Sequence, residues 1–255
     1  MFCSYKQTPS TEFVPISSRP IFSFTVKVAL TRASHIMLNI LVVTLAGDPS
    51  TVFGVSDKIA PRLIQRAAVH ESRTVEDAIE SLSTDWPNAI LVQSNLILDN
   101  EELSTTLRNH SIERTRNGCT TIFMGYFHWP NYKMDALEAL FKDHFELKWE
   151  LVTTNHVLTD LVENDPGLLR TTVLSPIMQN QVLLLRGVPR EQAVYRARQQ
   201  PERLASVAFA AVGSGRVGFI GGGGDEVDRL VLAMCRLDRP TDAPGNSLKS
   251  YHGDH

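Results

Sequence analysis

The sequence predicts an α/β chain whose sheet is doubly wound and mostly parallel, with an antiparallel hairpin at one edge. Three segments support this fold class: Leu38–Leu45 is a nearly continuous apolar run, and Ala89–Asn95 and Thr120–Phe127 are further predicted strands. Continuous rather than alternating hydrophobicity is typical of strands that are buried on both faces. Stretches of helical periodicity separate the runs, which is the order of a βαβ unit. The 255 residues, 43% of them hydrophobic, suffice for one full core.

The elements are expected in the order β-α-β-α-β-α-β-α, closed by a hairpin and a last helix. Thr74 is a candidate N-cap, and Asp77 supplies the acid expected three residues later. Asn117-Gly118 is the expected stop of the third helix. The expected strands are 38–45, 68–70, 89–95, 120–127, 147–153, 181–185, 207–212 and 216–221, and the expected helices are 55–68, 74–82, 100–116, 131–145 and 225–237.

Residues 213–218, GSGRVG, match the letters of a glycine-rich dinucleotide fingerprint. That fingerprint requires a strand before the glycines and a helix after them, because the helix amino terminus must face the pyrophosphate. Here strand-like runs lie on both sides of Gly213-Ser214-Gly215. The sequence therefore predicts a β-hairpin at this place and no dinucleotide site.

The chain is expected to form one α/β domain over residues 37–238. Residues 1–36 are rich in Ser and Thr and poor in acids, which is the composition of an organelle transit peptide. Pro15 and Pro20 interrupt any long helix there, so a disordered extension or a start at Met37 is favoured, and a transit peptide is the alternative. Residues 239–255 have the composition of a disordered tail. The expected location is cytoplasmic, and mitochondrial import through residues 1–36 is the alternative.

Charge and cysteine content exclude several classes of function. The net charge is −3 and the pI is about 6.2, so no basic surface for nucleic acid or an anionic membrane is expected. No apolar run is long enough to span a bilayer. Cys3, Cys119 and Cys235 are too scattered for a disulfide framework or a zinc site. We therefore expect a protein of a reducing compartment without a bound metal or cofactor.

Polar residues and glycines follow several predicted strands at their carboxyl ends. Ligands of open parallel sheets bind beyond those ends. The residues predicted to bind substrate are Asp48, Ser94, Asn95, Gly125, Gly222 and Gly223, and the predicted catalytic residues are Tyr126, His128, Asp225 and Glu226.

His128 is the predicted proton carrier, because an unperturbed imidazole titrates near neutral pH. Tyr126 and Ser94 would orient the substrate, and Asp225 or Glu226 would tune the histidine. The alternative is that His128 lies in a surface loop beside a tryptophan and a proline.

The glycine run 221–224 also has two interpretations. It joins a predicted strand to a helix, so bare backbone N–H groups could bind an anion or a polar ligand. Two acids at the start of the helix would repel phosphate, and a flexible connection without a ligand is the alternative.

Three segments resemble the class I glutamine amidotransferase-like superfamily, closest to its trehalose-utilisation-like branch and uncharacterised fungal relatives. They are ILVVTLAG (40–47), TTIFMGYF (120–127) and AFAAVGSGRVGFIGGGGDEVDRLVLAMC (208–235). The resemblance covers about residues 38–237 and implies a flavodoxin-like, class I amidotransferase-like fold. True amidotransferases carry a Cys after the central strand and a His and a Glu after the late hairpin strand. Residues 125–128 of this chain contain no Cys, and the late strand Phe219-Ile220-Gly221 carries no His, so the resemblance argues against glutamine hydrolysis.

Two functions are consistent with these residues. The first is a metal-free enzyme of peripheral or secondary metabolism that acts on a small molecule as a hydrolase, lyase or isomerase, without a covalent nucleophile. The alternative is a non-catalytic relative that binds a ligand in the same place or forms a homodimer. The proximity of His128 to a carboxylate or to a substrate-sized cavity would separate the two.

Overall fold

The computed structural model describes residues 38–45, 55–84, 86–124, 133–162, 168–169, 172–198, 202, 204–222 and 226–239. Within these ranges nine strands form one sheet, and five α-helices accompany it. The strands are β1 (Leu38–Val43), β2 (Ala67–Ser72), β3 (Ala89–Val92), β4 (Thr120–Met124), β5 (Glu150–Leu161), β6 (Ile177–Arg186), β7 (Ala193–Ala197), β8 (Ala205–Val212) and β9 (Gly215–Ile220). The helices are α1 (Val55–Ile64), α2 (Val75–Ser83), α3 (Glu102–Arg116), α4 (Met134–Ala139) and α5 (Val227–Met234), and a π-helical turn (Leu140–His144) continues α4.

The sheet is mixed, and its strand order is β2-β1-β3-β4-β9-β8-β6-β5-β7. The first five strands in this order run parallel, and we call them the parallel half. The other four strands pair antiparallel and are called the antiparallel half. β9 joins the halves, because it pairs parallel with β4 and antiparallel with β8. The predicted α/β class with a large, mostly parallel sheet is confirmed.

Alternate residues of the central strands contribute to two hydrophobic cores, one on each face of the sheet. Leu41 and Val43 of β1 belong to the core that contains residues of α2, α3 and α4. Ile40 and Val42 belong to the core that contains residues of α1 and α5. Helices therefore lie on both faces of the parallel half. Every residue of β3 and β4 is buried, as their continuous apolar runs predict.

Two predicted helix ends are confirmed. Thr74 is the N-cap of α2, and its side-chain oxygen accepts a hydrogen bond of 3.2 Å from the backbone N–H of Asp77. α3 ends before Gly118, whose φ of +119° is one that residues with side chains rarely adopt. The N–H of Cys119 then donates to the carbonyl of Arg114 at 3.0 Å and closes the helix end.

The predicted hairpin is present, but its predicted place at the edge of the sheet is wrong. β8 and β9 pair antiparallel across the two-residue turn Gly213-Ser214. β9 lies beside β4 near the centre of the sheet, and β8 pairs further with β6 and β7. The reason is that residues 150–197 supply three strands that extend the sheet beyond the hairpin. β7 is the strand that the sequence does not predict.

Several predicted bounds are also wrong. α1 ends at Ile64 because β2 already begins at Ala67, so the helix expected to residue 68 is too long. β5 and β6 have 12 and 10 residues and are much longer than predicted. Their register shifts between Thr154 and Val157, and such an irregularity breaks the period-two pattern by which a strand is found in a sequence.

The expectations for residues 1–36 and 240–255 lie outside the described residues. In the part of the chain that the structure describes, no helix is both long and apolar enough to cross a membrane.

Candidate functional site

The strands of the parallel half end together at one edge of the sheet. Val92 of β3 lies in register with Val43 of β1 and Phe123 of β4, and Met124 of β4 lies in register with Ile220 of β9. We call this edge the strand-end site, because ligands of open α/β sheets bind there. The described polar residues and glycines that follow the ends of β1, β3 and β9 are Thr44, Gln93, Ser94, Gly221 and Gly222.

Ser94 and Asn95 both lie at the strand-end site. Ser94 is fully buried, and its Oγ accepts a hydrogen bond of 3.2 Å from the backbone N–H of Leu96. This bond caps a short 3₁₀ helix, Asn95–Leu98, of which the partly exposed Asn95 is the first residue. Ser94 therefore has a structural role at its predicted position, and the substrate contacts of both residues stay predictions.

Gln93 is buried between the ends of three parallel strands. Its Oε1 accepts from Thr44 Oγ1 at 3.5 Å, and its Nε2 lies 3.8 Å from Met124 Sδ. Its backbone N–H donates to the carbonyl of Val43 at 3.1 Å. The side chain thus joins β1, β3 and β4 at their carboxyl ends.

The glycine run begins with a residue whose place admits no side chain. The N–H of Gly221 donates to the carbonyl of Ser206 at 2.8 Å, and its carbonyl accepts from the N–H of Leu183 at 3.2 Å. A Cβ on Gly221 would lie 2.0 Å from the carbonyl oxygen of Leu183, which is far inside contact distance. Gly221 therefore serves the close approach of β9 to the antiparallel half. Gly222 is buried beside it, and its ligand contact stays a prediction.

Glu226 lies directly before α5 and has a half-satisfied carboxylate. Its Oε1 accepts from Arg229 Nη1 at 2.6 Å, whereas its buried Oε2 has no hydrogen-bond partner among the described residues. The side chain is only 14% exposed. A buried carboxylate oxygen without a partner is costly, and such groups recur where a ligand completes the site. Of the described site residues, Glu226 is the one best placed to receive a hydrogen bond from a ligand.

A buried hydroxyl lies near the same strand end. Ser206 of β8 is fully buried and hydrogen-bonds through its backbone to Gly221. Its Oγ has no hydrogen-bond partner within the described ranges. Ser206 is not among the predicted site residues, because the predicted strand begins only at Val207.

Tyr195 and Arg229 lie within electrostatic reach of Glu226, and neither is among the predicted site residues. Tyr195 of β7 is fully buried, and its hydroxyl donates to the carbonyl of Ser175 at 2.6 Å. Burial first, and then the charge of Glu226, raise the pKa of Tyr195 well above its ordinary range. The hydroxyl therefore stays protonated and acts as a donor. The spacing of Glu226 and Arg229, three residues apart at a helix start, is a signal that could have indicated their ion pair.

A second polar cluster lies near the carboxyl end of β2. His70 Nε2 is 3.0 Å from both carboxylate oxygens of Asp77, and Ser72 Oγ donates to Asp77 Oδ2 at 2.7 Å. The Ser72 hydrogen bond lowers the pKa of Asp77, burial opposes this, and the His70 contact lowers it further. Trp86 lies edge-on to His70 at 6.1 Å. The cluster supplies a histidine with a carboxylate partner, and none of its residues is among the predicted site residues.

The two described cysteines are poor nucleophiles. Cys119 and Cys235 are both buried, and burial raises the pKa of each thiol to about 12. The reactive form of a cysteine is the thiolate, so both stay unreactive at neutral pH. In the ranges that the structure describes, no three His, Cys, Asp or Glu side chains are grouped closely enough to share a metal ion.

Six of the predicted site residues lie outside the described residues, and their roles stay predictions. They are Asp48, Gly125, Tyr126, His128, Gly223 and Asp225.

Comparisons with known proteins find similarity in shape. No protein-family model and no curated protein matches the chain. A ThuA-like protein from Parabacteroides merdae ATCC 43184 has a TM-score of 0.53 at 10% identity, over 83% of this chain and 95% of that one. A cytoplasmic protein from Salmonella typhimurium LT2 has a TM-score of 0.50 at 10% identity, over 78% and 96%. At these identities the similarity shows the fold alone.

Several β-galactosidases match over part of their length. The enzyme from Bacillus circulans sp. alkalophilus has a TM-score of 0.48 at 9% identity, over 78% of this chain and 31% of that one. The chain thus spans about a third of the length of such an enzyme.

Proposed function

We propose that this chain has a doubly wound, flavodoxin-like fold of the class I glutamine amidotransferase-like type and does not hydrolyse glutamine. The order β2-β1-β3-β4-β9 of the parallel half, the helices on both faces and the ThuA-like neighbour support the fold. The buried, protonated thiols of Cys119 and Cys235 support the absence of glutamine hydrolysis, because neither can act as a thiolate nucleophile.

We propose further that the chain is a metal-free enzyme that acts on a small molecule at the strand-end site by general acid–base catalysis. The observation that carries this proposal is the half-satisfied carboxylate of Glu226, whose buried Oε2 has no described partner. Such a carboxylate can accept a hydrogen bond from a substrate or from an imidazole. In the proposal His128 moves the proton, Tyr126 orients the substrate, and Asp225 or Glu226 tunes the histidine.

The substrate would be a small polar molecule of peripheral or secondary metabolism in the cytoplasm, and the reaction a hydrolysis, an elimination or an isomerisation. The net charge of −3 supports such a partner over nucleic acid or an anionic membrane. The proposed binding residues are Asp48, Ser94, Asn95, Gly125, Gly222 and Gly223.

The alternative is a non-catalytic module that binds a ligand at the same edge or forms a homodimer. The structural roles of Ser94 and Gly221 favour it, because each already serves the local backbone. In this case the strand-end site would hold a ligand without changing it.

Metabolite profiling of a strain that lacks the gene would name the candidate substrates, and three variants would then assign the site. Glu226→Gln and His128→Ala should each lower turnover of that metabolite by about 10²–10⁴-fold, which is the usual contribution of general acid–base groups. The matched control is Glu191→Gln, which removes an exposed glutamate outside the site and should leave turnover unchanged.

Other outcomes would overturn the proposal. A metabolite that binds and is never consumed would establish the non-catalytic alternative. If His70→Ala abolishes turnover and His128→Ala does not, the reaction takes place at the His70–Asp77 cluster and the strand-end assignment is wrong.

A further inference from the structure

A cavity of about 130 Å³ lies between α1 and the first three strands of the parallel half. It is of the size that takes up small organic molecules, since an apolar cavity of roughly 150 Å³ in another protein binds benzene. Its lining residues are Val42, Ile59, Ala60, Leu63, Ile64, Val69, Glu71, Leu91 and Gln93.

The lining combines an apolar interior with a carboxylate. Ile59, Leu63 and Leu91 are buried and form apolar walls. Gln93 and Glu71 are the polar members of the lining, and none of the nine residues is basic. Gln93 is buried, whereas the Glu71 side chain is 34% exposed and therefore reaches solvent.

Ile64 is the exposed apolar member of the lining, with 64% of its surface accessible. An apolar group in the cavity would therefore contact an accessible side chain as well as the buried walls.

Glu71 decides which ligand fits. Its Oε2 lies 3.4 Å from Arg73 Nη2, but the Arg73 side chain is 73% exposed, and such a pair contributes little. An ammonium group that is held at the cavity by an apolar anchor would form a shorter, charge-assisted hydrogen bond with the same carboxylate. A carboxylate ligand would be repelled there.

We propose that this cavity binds the apolar end of a small primary amine, with its ammonium group paired to Glu71. The apolar group would be a single ring or a branched chain, because the volume admits no more. The proposal does not depend on the reaction suggested for the strand-end site, since it concerns binding alone.

Three probe molecules of similar shape test the proposal on the full chain at pH 7. Benzylamine carries the ring and the cation, toluene the ring alone, and benzoate the ring with an anion. Binding is followed by calorimetric titration and by the methyl resonances of Leu63 and Leu91. Benzylamine should bind in the millimolar range, toluene more weakly, and benzoate not at all.

Two variants then separate the ring from the charge. Glu71→Gln should weaken benzylamine about fivefold and leave toluene unchanged. Ala60→Leu fills the cavity and should abolish the binding of both while the melting temperature is kept or raised. Glu76→Gln is the matched control, because it removes an exposed glutamate on α2 and should change neither affinity.

Each opposite result overturns the proposal. If benzylamine does not shift the methyl resonances, the cavity is no amine site. If benzylamine binds equally well to Ala60→Leu, it binds elsewhere. If Glu71→Gln has no effect on benzylamine, Glu71 does not recognise the ligand and the amine class is wrong.

Discussion

The two halves of the sheet differ in how their strands are buried. In the parallel half, all residues of β3 and β4 are buried between helices on both faces. In the antiparallel half, Leu158 of β5 and Ile177 of β6 are 48% and 44% exposed. The ion pair between Arg198 and Asp160 lies on the surface of that half. Antiparallel sheets tolerate water on one face, whereas parallel sheets are covered on both.

The difference does not make the halves independent, because aromatic side chains connect them. Phe219 of β9 and Phe123 of β4 both pack edge-on against Phe141, with ring centroids 6.1 and 5.5 Å from that of Phe141. Phe141 also lies 5.2 Å from Trp149, which directly precedes β5. We therefore expect the parallel half and the antiparallel half to unfold together.

Phe219→Ala should have the largest effect on this connection. The side chain is fully buried on β9, the strand that joins the two halves, and such a truncation lowers the free energy of unfolding by about 3–5 kcal/mol. Urea unfolding followed by far-UV circular dichroism and by tryptophan fluorescence should give coincident transitions at a lower midpoint. Two separated transitions would show that the halves are independent. Leu103→Ala, at a half-exposed position on α3, is the control and should change the free energy by about 0.5 kcal/mol or less.

Gly221→Ala should have the next largest effect, because a methyl group would strike the backbone of β6. A loss of about 2–3 kcal/mol is expected, since backbone atoms cannot move aside as a flexible side chain can. Gly118→Ala is the comparison within the parallel half: no atom lies within 4 Å of its Cβ, so only the positive φ opposes the change. It should cost about 1–2 kcal/mol. If both variants lose the same free energy in urea titrations, the contact between β9 and β6 is not tight.

Asp77→Asn should have the smallest effect, because the Ser72–Asp77–His70 cluster lies at the outer strand of the parallel half and is partly exposed. The pKa of Asp77 is lowered in the folded chain from its ordinary 3.8. Its contribution to stability is therefore complete above about pH 4 and disappears as the pH falls through the lowered value. The melting temperature of the natural chain should exceed that of the variant at pH 6, and the two should converge near pH 2. Asp143→Asn, at an exposed position, is the control. The difference between its melting temperature and that of the natural chain should not shrink between pH 6 and pH 2.

The same two halves show what could be predicted from the sequence. β3 and β4 are readable because burial on both faces leaves a continuous apolar run, and Thr74 and Gly118 mark helix ends by local chemistry. β5 and β7 could not be predicted from such a pattern. The irregular register of β5 interrupts its alternation, and β7 is a short strand whose partners, β5 and β8, are fixed only in the folded chain.

The residues of the candidate site likewise include some that could be predicted from the sequence and some that could not. Ser94 and Gly222 could be placed at the strand-end site by a general rule for parallel sheets. The half-satisfied state of Glu226 and its closeness to Tyr195 could not be predicted, because Tyr195 arrives on β7 from a distant part of the chain. The amide of Gln93 likewise acquires its partners from β1 and β4 only when the sheet forms.

The central position of β9 has a consequence for the synthesis of the chain on the ribosome. β4 and β9 are neighbours in the sheet, although β5, β6, β7 and β8 are all translated between them. At translation rates of about 5–20 residues per second, β4 waits on the order of 5–20 s for its partner. During that time one edge of a strand that is entirely buried in the folded chain stays unpaired, and such an edge can recruit other nascent chains. The yield of native protein should therefore depend on chaperones that shield residues 120–124 until residues 215–220 have been made.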